Sequence, residues 1–131
     1  MSYTQREEEY TRKVHVKTTL NKSFKEIKKR YVKSFIDIII ATILAEKTSW
    51  GYGIIAEIYE KLNILLSPGN IYPILYEMEQ TGLIRSYEKC RKRFYKITEE
   101  GVRWLSEVLD VYRATCTTVD AFLLSKRLGE S

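Results

Sequence analysis

The sequence predicts a mainly α fold with one small β-hairpin, and three observations carry that prediction. A proline-started apolar helix at residues 67–80 runs into a glycine and two β-rich segments. Apolar runs with helical spacing precede it, and a long heptad-spaced stretch follows it. At 131 residues with 44% apolar content, the chain suits one globular domain with a real core.

Charge is laid out in blocks. The net charge is +5. Residues 1–30 and 83–98 are strongly basic, residues 67–82 carry no Lys or Arg, and the remainder is close to neutral. Localised positive charge points to a polyanionic partner more strongly than diffuse basicity does. Two cysteines, Cys90 and Cys116, and one histidine, His15, are too few for a disulfide framework or a metal site. No cofactor is expected. No paired-carboxylate pocket, nucleophile with a base, or phosphate loop has supporting spacing, so an enzyme is not expected either. The charged N-terminus predicts no signal peptide, and the apolar run Ile38–Leu44 is too short to span a bilayer. A cytoplasmic, nucleoid-associated location is the expectation.

Taken in order, residues 1–21 show no clean period and read as a basic flexible arm. It is either a solvated tail or an arm tracking DNA through Arg12, Lys13 and Lys17. Ser23 and Glu26 match a capping box, and Phe24, Ile27, Tyr31 and Phe35 share a stripe. A helix is therefore expected from Ser23 to about Lys47, with its later half in the core. Thr48, Ser49 and Gly51 break that pattern, and a second helix follows from Tyr52 to Leu62.

Ser67 is the expected N-cap of the next helix and Pro68 its first residue, where the missing N–H costs nothing. Ile71, Leu75 and Met78 form its buried face, and Gly82 its stop. The opposite face carries Gly69, Asn70, Tyr72, Pro73 and Tyr76, shaped to meet a surface closely. Leu83–Tyr87 and Phe94–Thr98 read as strands joined by a cationic tip with Lys89, Arg91, Lys92 and Arg93. Thr98 should cap a last helix reaching about Leu128. Within it, Leu105, Leu109, Tyr112, Cys116, Val119 and Leu123 alternate steps of four and three, a heptad seam. The seam either folds back on its own core or pairs with a second copy; the absence of a separate core favours a homodimer.

The expected organisation is thus an arm at 1–21, a winged helix-turn-helix DNA-binding domain at 22–98, and a C-terminal dimerisation helix at 99–131. The expected DNA contacts are Ser67, Gly69, Asn70, Tyr72, Pro73, Tyr76, Lys89, Arg91, Lys92 and Arg93. Asn70 has the chemistry to bond adenine in a bidentate way, with local backbone bonding as its alternative. Tyr72 and Tyr76 either reach phosphates and thymine methyls or pack against the hairpin. Trp50 and Trp104 read as core or interface residues.

Three strings resemble the PadR family of winged-helix transcriptional regulators: KSFIDIIIATILAEKTSWGYGIIAEI, LSPGNIYPILYEMEQTGLI and RKRFYKITEEG, within Lys33 to Tyr112. The S-P-G-x-I-Y-P-x-L pattern is the specific part. The resemblance implies a homodimeric repressor on a palindromic operator, with duplex DNA contacted through Ser67–Tyr76 and the hairpin. It also implies a small-molecule effector as a further partner. A protein–protein adaptor on the same fold, using Tyr72, Tyr76 and apolar helix faces, is the alternative from another class.

Overall fold

The computed structural model describes residues 3–125, with side chains at 5–9 and 23–125. The chain divides into two compact units, residues 1–35 and 36–131.

The first unit is one helix, α1 (Tyr3–Lys33). It begins twenty residues before the start expected at Ser23, so α1 takes in the segment expected as a basic flexible arm from Tyr3 onward. The reason is compositional. Residues 3–22 contain neither glycine nor proline, and their largely polar, charged sequence has no apolar period to announce a helix. The side chains of Arg12, Lys13, His15 and Lys17 lie outside the described set. Phe24, Ile27 and Tyr31 do share a stripe, and it is solvent-exposed.

A single helix from Ser23 to Lys47 is not what forms. The helix ends at Lys33: the Ser34 N–H donates to the carbonyls of Arg30 and Tyr31, and the Phe35 N–H to Val32. The two i→i+3 bonds, to Tyr31 and Val32, tighten the terminal turn. The Ser34 hydroxyl also donates to the Tyr31 carbonyl at 2.6 Å, giving that backbone oxygen a non-helical partner. Phe35 closes the turn edge-to-face on Tyr31, with centroids 4.9 Å apart.

The second unit holds α2 (Ile36–Glu46), β1 (Ser49–Trp50), α3 (Gly51–Leu62), α4 (Pro68–Gln80), β2 (Ile84–Lys89), β3 (Lys92–Ile97) and α5 (Glu99–Leu124). The fold is mostly helical with a small antiparallel sheet, as the sequence predicts. Ile40, Ala41 and Leu44 bury α2 completely or nearly so, and α2 packs against α4, β3 and α5. Ile54 and Ile58 bring α3 onto the same core. Ile71, Leu75 and Met78, the three expected positions, seat α4 there, and Ile84 and Tyr95 contribute from the sheet. Each such aliphatic side chain stabilises the fold by about 1.5–3 kcal/mol through the area it removes from water.

The sheet order is β1-β3-β2. The third strand, β1, is a correction to the expected two-stranded hairpin. Two residues cannot show a period, and Ser49 and Trp50 become a strand only by pairing with Tyr95 and Phe94. The hairpin is also longer than expected, with a turn reduced to Cys90 and Arg91, both at positive φ (53° and 63°). Two consecutive left-handed residues make a type I′ turn, whose twist matches the flanking strands.

Candidate nucleic-acid interface

The candidate interface is built from α4, which is fixed at both ends. At its start, Asn70 Oδ1 accepts from the Ser67 N–H (3.1 Å) and the Ser67 hydroxyl (3.0 Å). At its end, Gly82 (φ +83°) stands past the C-cap. The Gly82 N–H donates to Glu79 and the Leu83 N–H to Met78, the paired bonds of a Schellman motif. Both caps agree with the sequence. Asn70 makes the local bonds that stood as the alternative to base contact. Bidentate recognition of adenine needs the amide oxygen, and here that oxygen closes the cap.

On the outward face Ser67, Gly69, Pro73 and Tyr76 are exposed, and Tyr72 is 37% exposed. Pro73 stands inside the helix, where it leaves the Gly69 carbonyl without its usual donor. A Cβ added at Gly69 would meet nothing nearer than Ser67 Oγ at 3.6 Å. Nothing inside the molecule requires glycine there, so any demand for a small residue comes from outside.

Tyr72 is held from one side. Its phenol lies so close over Gly51 that a Cβ there would collide with it. Tyr52 approaches edge-on, with centroids 6.4 Å apart. Burial, and then the neighbouring Tyr52, raise the Tyr72 pKa above its ordinary value, so the hydroxyl remains a donor. Tyr52 in turn contacts Trp50 (5.5 Å), and Lys92 Nζ sits 4.2 Å above the Trp50 ring. An aromatic bridge therefore runs from α4 through the start of α3 to the hairpin. Sequence reasoning read Trp50 as a core or interface residue and gave Tyr52 no place among the expected contacts. Their only signal was an aromatic pair beside a glycine.

The four expected hairpin cations are all exposed, but they are not equivalent. Lys92 is drawn over Trp50. Arg93 donates to Ser86 Oγ (3.0 Å) and to Glu88 Oε1 (3.4 Å), its cross-strand partner. Lys89 and Arg91 flank the tip. Cys90, between them, is exposed. Stacking of Tyr87 on Phe94, at 5.9 Å, stiffens the ribbon behind the tip.

At the far side Thr98 caps α5 as expected, accepting from the Gly101 N–H at 3.0 Å and donating to the Gly82 carbonyl. Of the heptad residues, Leu105 is buried in its own unit, Leu109, Tyr112 and Cys116 are half-buried, and Val119 and Leu123 are exposed. Val111, Phe122 and Leu124 are more than half exposed beside them.

Two helices in a helix-turn-helix arrangement, followed by a hairpin paired to a short third strand, define a winged helix. A model of the transcriptional regulator PadR-like family matches residues 40–107, more than half the chain, and the protein belongs to that family of regulators, which are not enzymes. Solved structures agree. A transcriptional regulator from Clostridium thermocellum is 26% identical with a TM-score of 0.67, covering 72% of this chain and 95% of its own. A PadR family regulator from Clostridium difficile is 30% identical with a TM-score of 0.63, covering 68% and 98%. A PadR-like regulator from Bacillus cereus is 25% identical with a TM-score of 0.66, covering 77% and 99%. No helix among the described residues is long and apolar enough to cross a membrane.

Proposed function

We propose that this regulator binds duplex DNA as a homodimer and represses transcription from a palindromic operator in the cytoplasm, on the nucleoid. The observation that carries the reading is the pairing of two opposed surfaces. The outward face of α4 is exposed and free of Lys and Arg, and a ribbon bearing Lys89, Arg91, Lys92 and Arg93 stands beside it. The first surface suits a groove, and the second suits the phosphates that border it.

In this reading Gly69 and Pro73 let the start of α4 approach base edges, and Tyr72 and Tyr76 offer hydroxyls and rings to the groove. Ser67 brings the first N–H groups of the helix to a phosphate. Asn70 supports these contacts by holding the cap. Two copies paired through α5 set the half-sites apart. The helix is about 39 Å long at 1.5 Å per residue, comparable to the ~34–36 Å between half-sites one turn apart. A small-molecule effector that releases the DNA completes this reading.

Fluorescence anisotropy on a duplex with two-fold related half-sites, over a salt series, tests it. Binding in the nanomolar range is expected, with a log–log slope of about −0.9 per phosphate contact. Replacing Arg91, Lys92 and Arg93 together with Ala should abolish it. A flat salt dependence, or partner binding that survives the triple change, favours a protein–protein adaptor instead.

A further inference from the structure

Among the described residues the sheet leaves β2 as an edge strand, paired with β3 alone. Lys89 and Lys92 close the two-residue turn, and the register runs back through Glu88↔Arg93 and Tyr87↔Phe94 to Ser86↔Tyr95. Residues flanking a two-residue hairpin turn form a hydrogen-bonded pair, and bonded and non-bonded pairs then alternate. Ser86 therefore falls on a non-bonded pair, and its N–H points away from β3 towards the open edge. Such a donor is ordinarily left to water.

Here it is not. Glu79, in the last turn of α4, accepts from the Ser86 N–H at 2.5 Å. Ser86 is bonded from its other end too, since its Oγ accepts from Arg93 at 3.0 Å. One carboxylate on α4 thus holds the middle of β2, and the residue it holds also orients a wing cation. The opposite edge of the hairpin is held at the same rung and the next, by β1 at Tyr95 and Phe94, so at Ser86 the ribbon is tied on both sides, on one of them by Glu79. The Schellman turn fixes where the chain leaves α4, and Glu79 fixes the strand four residues further on.

We propose that Glu79 is a positioning residue that sets the angle between the recognition helix and the wing, and so the specificity of DNA binding rather than its bulk strength. The proposal rests on the DNA-binding reading above. Its logic is one of registration. Wing cations grip any duplex through charge alone. Preferring one sequence needs α4 seated in the groove while the wing sits on the adjacent phosphates, and that requires a fixed angle between them. A charge-assisted bond to a backbone donor is among the stronger ties available.

The test compares full-length wild type with E79A, E79Q and S86P. Duplexes selected by the wild type from a random pool serve as the preferred probe, and a shuffled duplex as the non-specific one. Amide exchange at Ser86 is followed by NMR without DNA. For E79A we expect Ser86 protection to be lost and affinity for the preferred duplex to fall about tenfold. Affinity for the shuffled duplex should stay within about twofold. E79Q keeps an acceptor oxygen and should restore both readouts towards wild type. S86P removes the donor, on an edge where proline is tolerated, together with the Oγ that accepts from Arg93, and its preference for the selected duplex should fall at least as far as that of E79A. Equal losses on both duplexes, an unchanged ratio in E79A, or an E79Q as impaired as E79A would overturn the proposal. If wild type bound neither duplex, the DNA reading itself would fall, and the exchange data alone would then decide whether Glu79 clamps the wing.

Discussion

Asn70 and Arg93 are residue types that read bases and grip phosphates, and each is already engaged within the protein. Asn70 closes the cap of α4. Arg93 spans Ser86 and Glu88. Side-chain type announces what a residue can bond, and only its neighbours decide what it does bond. Tyr95 shows the same dependence. It is buried, with 6% of its surface exposed, and that burial raises its phenol pKa above 10.0; Glu79 and Tyr72 add to the shift and Arg93 opposes it. In the unfolded chain the phenol ionises at its ordinary value, so above about pH 10 the unfolded state holds fewer protons than the native one. Stability must then fall as pH rises. Denaturant unfolding between pH 8 and 11 should show this loss, and Tyr95→Phe should flatten it.

At the scale of elements, α4 combines strong caps with two helix-weakening residues on one face. Pro73 in a helix interior costs up to ~3 kcal/mol, and Gly69 up to about 1 kcal/mol relative to alanine. Because a Cβ at Gly69 meets only open space and Ser67 Oγ, Gly69→Ala should raise unfolding stability by about 0.5–1 kcal/mol. On the groove reading it should also weaken DNA binding. Chemical denaturation and anisotropy on the same sample separate the two effects, and a variant that gained stability with unchanged affinity would remove Gly69 from the interface. The wing turn repeats this pattern, since Cys90 and Arg91 occupy left-handed positions that an Asn-Gly pair fills most readily. The double change Cys90→Asn with Arg91→Gly should stabilise the hairpin while making the salt slope shallower by about 0.9, the share of one phosphate contact.

At the scale of the whole molecule, α5 is longer than the core it covers. Leu105 is spent on that core, and beyond it Val111, Val119, Phe122, Leu123 and Leu124 are exposed. An apolar surface of this kind on a regulator suits a second copy. Light scattering at micromolar concentration should return a dimer. Phe122→Glu with Leu123→Glu should return a monomer that binds a two-half-site duplex far more weakly, because the second contact is no longer intramolecular. A wild-type monomer would contradict the pairing.

What the sequence by itself determined is local. Ser67, Pro68 and Gly82 bound α4, Ile71, Leu75 and Met78 give it an inner face, and Thr98 starts α5; caps and helical periods act within a few residues and need no distant partner. Tertiary structure decided the rest. Ser49 and Trp50 are a strand only because β3 lies beside them, and Glu79 finds its donor only because the turn at Gly82 brings β2 back along α4. Such contacts pair residues whose individual preferences are weak, so their free energy exists only once the chain has folded.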